Sequence, residues 1–210
     1  MEEIEDNVPV GIHERAMDNL SYIRETMERS SPFTGISGKG MVAMGLVALG
    51  GGYIARLPDR GTDWWIYTWF AVACLGAGIG LATMALKMRG QERPSVLRAA
   101  RRFAFNLAPA ILAGVFLTEM FYELGLLAFM PGMWLLLYGT GVVAGGALSV
   151  RVLPTMGGLM MALGALTLFW TLWGSASFAL ADAVGDTAMA LGFGGLHIAT
   201  GLIIHFRYGG

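Results

Sequence analysis

Residues 126–150 have the sequence LLAFMPGMWLLLYGTGVVAGGALSV, which contains no charged side chain and is followed at once by Arg151. At a rise of ~1.5 Å per residue, a helix of this length exceeds the ~20 residues that cross the ~30 Å hydrocarbon core of a bilayer. Backbone polar groups inside lipid must be paired within the segment, and a helix pairs them. This stretch therefore predicts a transmembrane helix.

Five more apolar stretches lie on either side of it. The six predicted spans are about residues 40–55, 64–86, 103–124, 126–150, 152–173 and 187–206. With 55% hydrophobic and 14% charged residues, the chain has too little charge to cover a soluble globule of 210 residues. The sequence predicts an all-α fold, a polytopic six-transmembrane-helix bundle in residues 39–210. The first span is short, so we expect it either to gain length from Ile36 or Leu57 or to thin the bilayer locally.

The distribution of Lys and Arg predicts the orientation of these spans. The tail before the first span and the gap between the second and third spans are rich in Lys and Arg, whereas the gaps after the third and fifth spans contain none. Cytoplasmic loops carry the excess of positive charge, so both termini are predicted to be cytoplasmic. The acidic start of the chain does not match a signal peptide, and we expect the first span to remain in the mature protein.

Residues 1–38 form the predicted cytoplasmic tail, with an amphipathic helix over residues 13–29. Its apolar positions recur at intervals of three and four, and the candidate partner-binding residues among them are Met17, Leu20, Ile23 and Met27. So short a helix cannot bury a core of its own. Three alternatives remain for its apolar face: this chain's own bundle or a sister subunit in a homo-oligomer, a cytosolic protein partner, or the lipid surface.

Ionisable groups inside a bilayer are costly, which makes them the first candidates for function. His197 lies near the middle of the sixth span and Glu119 near one end of the third, and Arg56 is the expected counter-charge of Glu119. Their difference in depth disfavours a direct contact between His197 and Glu119. His197 is expected to be a neutral imidazole that serves either as a structural hydrogen-bonding group or in proton relay or ligand binding, with three candidate partners at similar depth: Tyr138, Thr140 and Thr167.

Motifs of enzymes and cofactor sites are sparse. The sequence has no HExxH motif, no Cys/His cluster, no nucleophile elbow and no two histidines placed for a bis-histidine haem. Asp182 and Asp186, four residues apart after the fifth span, could jointly hold a divalent cation if that segment is helical. Two carboxylates are too few for a metal site, however, and we expect a solvated loop. We therefore expect no enzyme activity, no cofactor, no metal and no direct nucleic-acid binding.

Two residue types have further roles in the predicted bundle. All six Trp residues lie near one predicted membrane surface, either as an interfacial belt or as an aromatic cup for a ligand. Small-residue pairs at Gly76 and Gly80, and at Gly141 and Gly145, predict close helix packing.

The run His13 to Thr34, with the pattern HERAMDNLxYIRETMExxxxFT, resembles the start of a family of bacterial integral membrane proteins of acidobacterial type. The similarity continues through residues 131–139, 145–151 and 192–210. It implies six helices, a bacterial cytoplasmic (inner) membrane location, and a gene that often lies beside one for a winged-helix regulator. No catalytic residue is carried over from that uncharacterised family.

Two functions follow from these observations. In the first, the protein is a non-enzymatic sensor or accessory subunit in signalling or assembly, and it engages a protein partner through the N-terminal helix. In the second, it is a small transporter or channel that uses Glu119 and His197.

Overall fold

The computed structural model describes residues 15, 17–23, 35–57, 61–89, 94–147, 149–174 and 178–209. The chain divides into two units, Met1–Pro32 and Phe33–Gly210. In the first unit, residues 17–23 are helical and lie inside the predicted amphipathic helix. The remainder of that helix, apart from the helical residue 15, lies outside the described residues, as does Met27.

The second unit is built from helices joined by short connections. In chain order they are α1 (Gly38–Ala55), α2 (Thr62–Met88), α3 (Pro94–Glu123), a 3₁₀ turn (Leu127–Phe129), α4 (Met130–Gly146), α5 (Val152–Phe169) with a π-helical turn (Trp170–Gly174), α6 (Phe178–Met189), a π-helical segment (Ala190–Leu196) and α7 (His197–Tyr208).

Six of these stretches are long and apolar enough to cross a membrane. The spans are Gly38–Ala55, Asp63–Met88, Ala100–Glu123, Leu127–Gly146, Val152–Gly174 and Leu180–Tyr208. Within the described residues, the all-helical architecture and the predicted number of helices able to span a membrane are confirmed. The last stretch combines α6, the π segment and α7, and is called the sixth span below.

The start of the sixth span was predicted wrongly. Asp182 and Asp186 were assigned to a solvated loop, but both lie within α6. Two acidic residues interrupt an apolar stretch in the sequence, whereas four-residue spacing puts them on one side of a helix. Ala181 and Ala188 are buried, so apolar packing continues past the carboxylates.

Local caps and turns explain several boundaries. The Ser37 hydroxyl accepts a hydrogen bond from Gly40 N–H at 3.2 Å and caps the start of α1. The chain turns between α3 and the 3₁₀ turn at Gly125, whose φ of 69° favours glycine. The first span gains its extra length at Gly38, so neither Ile36 nor Leu57 joins the helix.

The sixth span joins two groups of helices. On one side, α1 packs against α2 and against the π segment and α7. On the other side, α4 packs between α3 and α5, and the sixth span reaches both α4 and α5. Helices α2 and α3 lie at the periphery, with few buried residues in their spans.

Glycines bring two pairs of helices into close contact. A Cβ built on Gly139 would lie 2.6 Å from the carbonyl oxygen of Gly157, so α4 and α5 approach closely. The same holds between α1 and α7, where a Cβ on Gly201 would lie 2.7 Å from Gly38 O. The glycines of these contacts recur seven residues apart, at Gly132 and Gly139, Gly157 and Gly164, Gly38 and Gly45, and Gly194 and Gly201. A seven-residue repeat is typical of left-handed packing.

The two predicted GxxxG pairs have different environments. Gly141 faces Leu107 and Ala110 of α3, and Gly145 faces Phe103, so this pair packs α4 on α3. A Cβ on Gly76 would meet nothing within 4 Å, so that glycine forms no close contact.

The two ends of the bundle differ in charge. At the basic end, where α1 begins and α7 ends, the exposed cations include Lys39, Arg89, Arg101, Arg102, Arg151 and Arg207. At the opposite, aromatic end, where α1 ends and α2 begins, the described carboxylates are Asp63, Glu119, Glu123, Asp182 and Asp186.

Candidate functional site

Asp186 is the central acceptor at the aromatic end. Its Oδ2 lies 3.1 Å from Arg56 Nε at the end of α1, and its Oδ1 accepts a hydrogen bond of 2.8 Å from Trp65 Nε1 of α2. Both carboxylate oxygens are therefore engaged, and one residue of the sixth span joins α1 and α2. The predicted pairing of Arg56 with Glu119 is wrong, because Asp186 takes that place once α6 is helical.

Trp65 extends this connection to α3 and α4. Its ring stacks on that of Trp134 at a centroid distance of 5.4 Å and an interplanar angle of 13°. Trp134 Nε1 donates to Thr118 Oγ1 at 2.7 Å, and that hydroxyl donates to Gly114 O at 2.6 Å. A chain of ion pair, stacking and hydrogen bonds thus runs from α1 through the sixth span and α2 to α4 and α3.

A second set of rings leads from this network toward the middle of the bundle. Trp65 contacts Trp69 at a centroid distance of 6.3 Å, and Trp69 contacts Phe193 of the π segment at 6.4 Å. Phe193 meets the edge of Tyr138 at 5.2 Å and also packs on His197. These rings form an aromatic column that connects the network around Asp186 to His197.

His197 is 2% exposed and has two hydrogen-bond partners. Its Nδ1 lies 3.4 Å from Gly192 O, and its Nε2 lies 3.0 Å from the Tyr138 hydroxyl. A carbonyl oxygen can only accept, so Nδ1 carries the proton. In the neutral ring Nε2 is then the acceptor and Tyr138 the donor. This tautomer is assigned from the pattern of partners.

Tyr138 is thus confirmed as the partner of His197. The other two candidates bond within their own helices, since Thr140 donates to Leu136 O and Thr167 to Leu163 O, each at 2.8 Å. The packing of the helices decides which candidate lies next to His197. The sequence gives only the approximate depth of Tyr138 in the span.

Two polar groups in this region retain hydrogen-bonding capacity. Trp69 is 4% exposed, and in the part of the chain that the structure describes its Nε1 has no hydrogen-bond partner. The second group is the guanidinium of Arg56, whose side chain is 50% exposed and which pairs with Asp186 through Nε. Among the described residues, its terminal nitrogens have no partner.

The structure does not bring all the predicted site residues together. Glu119 is exposed on α3, whereas His197 is buried and bonds to Tyr138 and Gly192, in keeping with their different depths. In the N-terminal unit, Met17, Leu20 and Ile23 are each at least half exposed. No group of three His, Cys, Asp or Glu residues that could hold a metal ion occurs among the residues described.

Sequence reasoning missed the roles of Asp186, Trp65 and Thr118. One signal was available, namely the one-sided placement of the Trp residues. Exposed Trp170 and Trp173 fit the interfacial belt, whereas Trp65, Trp69 and Trp134 form the interior of the aromatic end.

The chain matches no model of a known protein family, no curated protein and no solved structure. The site is therefore interpreted from its own geometry. Its donors and acceptors mostly satisfy one another, an arrangement suited to fixing the helices in place.

Proposed function

We propose that this chain is a non-enzymatic integral membrane protein, a sensor or accessory subunit, that engages a protein partner through a cytoplasmic N-terminal helix. The observation that carries the proposal is the exposure of Met17, Leu20 and Ile23. Each large apolar side chain gains about 1.5 to 3 kcal/mol on burial, so a partner that covers this face is favoured by several kcal/mol.

The charge pattern supports the proposed placement in a bacterial cytoplasmic membrane. The basic end, where α1 begins and α7 ends, carries the exposed cations, and the positive-inside rule assigns it to the cytoplasm. The N-terminal helix precedes α1, so it lies on the same side. The aromatic end then faces outward.

The resemblance described above suggests a winged-helix regulator as the partner. A sister subunit is the other candidate, because an apolar helix face can also be covered in a homo-oligomer. Both fit helix recognition through anchors spaced three and four residues apart.

Site-specific photo-crosslinking in native membranes tests this proposal. A photoreactive residue at Leu20 or Ile23 should crosslink to one and the same protein, identified by mass spectrometry. The matched control is Asp18, which is exposed on the same helix but outside the apolar stripe. Crosslinks to the winged-helix regulator and to a second copy of this chain are distinguished by mass.

Replacing both Leu20 and Ile23 with Asp tests the energetics. The change removes at least ~3 kcal/mol of apolar burial and places unpaired charge in the contact, so capture of the partner should be lost. Unchanged capture would mean that the stripe has no part in binding.

The alternative is a small transporter or channel that uses Glu119 and His197. The burial of His197 in the middle of the sixth span favours it. Deleting residues 1–34 discriminates the two functions, because it should abolish partner capture while leaving any flux intact.

A further inference from the structure

A groove runs along the outside of the ion pair at the aromatic end, between α1 and the sixth span. It has a volume of about 370 Å³ and is lined by Leu49, Gly52, Tyr53, Arg56, Leu57, Asp186 and Ala190. This volume is within the range of small-molecule sites, which begins at roughly 300 Å³. From Leu49 to Arg56 the groove follows α1 for ~10 Å, at ~1.5 Å per residue.

The groove has a polar mouth and apolar walls. Asp186 has little capacity left for a ligand, because Trp65 and Arg56 occupy its two oxygens and its side chain is only 16% exposed. Arg56 is half exposed and pairs with Asp186 through Nε, which leaves the N–H donors of its terminal nitrogens available to a ligand. The charged group that the groove selects must therefore be an acceptor, such as a phosphate.

The walls decide what the rest of the ligand must be. Leu49 and Ala190 present apolar surface on the side of Arg56 toward the middle of the span, and Leu57 adds apolar surface beyond the end of α1. Leu49 and Tyr53 are also exposed on the outer surface of the bundle, where the bilayer would lie. A ligand that fits has an anionic head at the membrane surface and an apolar chain that descends beside it.

We propose that this groove binds an anionic phospholipid, with its phosphate at Arg56 and an acyl chain along Leu49 and Ala190. Asp186 offsets part of the charge of Arg56, which weakens the purely electrostatic attraction to an anion. Arg56 therefore recognises the phosphate mainly through directed hydrogen bonds. The assignment rests on the membrane placement proposed above and is independent of the N-terminal partner.

Native mass spectrometry of the full chain from lipid nanodiscs tests the assignment. The nanodiscs contain phosphatidylcholine with a minor fraction of phosphatidylglycerol. The wild type should retain phosphatidylglycerol preferentially. Arg56→Gln should weaken retention about tenfold, the equivalent of ~1.4 kcal/mol for one charge-assisted hydrogen bond. The matched control is Arg207→Gln, an exposed arginine at the basic end, which should retain the lipid as the wild type does.

Two further arms keep the test decisive. Ala190→Leu narrows the groove at its apolar wall while leaving the ion pair in place, so it should also weaken retention of phosphatidylglycerol. This variant decides the test if Arg56→Gln does not fold. Inorganic phosphate is added to nanodiscs of phosphatidylglycerol as a competitor. Displacement of the lipid by phosphate alone would show that the site takes a free anion and would overturn the lipid assignment. Wild-type retention by Ala190→Leu or by folded Arg56→Gln would overturn it as well.

The proposal can fail separately from the proposed function. Loss of the lipid preference leaves crosslinking at Leu20 and Ile23 unchanged. Loss of those crosslinks leaves lipid retention unchanged, because the groove lies in the second unit alone.

Discussion

The hydrogen bond between Tyr138 and His197 offers a quantitative test of the interior of the bundle. In the variants Tyr138→Phe and His197→Leu, one partner of the 3.0 Å contact is removed and the other is left without its bond. An unsatisfied buried group costs about 1 to 3 kcal/mol. His197→Leu should cost more than Tyr138→Phe, because it also removes the contact to Gly192 O.

The double variant isolates the bond itself. Interhelical hydrogen bonds in membrane proteins contribute about 0.6 kcal/mol on average and up to about 1.7 kcal/mol. His197 is almost fully buried, so we expect a coupling energy in the upper part of that range. The free energy of unfolding of the purified protein, measured by circular dichroism in mixed micelles with increasing dodecyl sulfate, gives all four corners of the cycle.

His197→Gln separates a structural role from proton relay. Gln can still donate and accept, so a structural role predicts stability close to that of the wild type. A relay role predicts that the fold persists while a pH-dependent activity is lost. Additivity of the Tyr138 and His197 changes within about 0.3 kcal/mol would refute the reasoning, because residues in direct contact should couple.

Two other predictions concern topology and packing. Cysteines placed at Ser31 and Ser95 should be protected from an impermeant reagent added outside intact cells, whereas a cysteine at Ser177 should react; the reverse pattern would contradict cytoplasmic termini. Gly139→Ala should destabilise the protein by about 1 to 3 kcal/mol, since its Cβ meets backbone at 2.6 Å. The control Gly76→Ala has open space around its Cβ and should be close to neutral in the same unfolding assay.

The helices themselves could be predicted from sequence because hydrophobicity and span length are local properties. All six spans were located, and the boundary error was largest at the sixth. When hydrophobicity is judged residue by residue, the two carboxylates at the start of this span make it resemble a solvated loop. The carboxylate of Asp186 is accommodated in an apolar span because Arg56 and Trp65 reach it from other helices.

Contacts between helices were less predictable for the same reason. Sequence gave the depth of His197 well enough to include Tyr138 among three candidates, but rotation about the helix axes decides which of them faces the ring. The sequence favours Glu119 as the counter-charge of Arg56, whereas the structure pairs Arg56 with Asp186. Choosing between them requires the order in which the helices pack.

The π segment Ala190–Leu196 fixes the angular phase between the two polar anchors of the sixth span. Asp186 lies before it and His197 after it, and a π-helical turn accommodates an additional residue compared with an α-helix. If the same residues formed a regular α-helix throughout, the extra residue would rotate the two anchors relative to each other by ~100°. The span could then keep its ion pair with Arg56 or its bond with Tyr138, but not both. The wider turn is therefore the element that allows one rigid helix to satisfy both ends of the network at once.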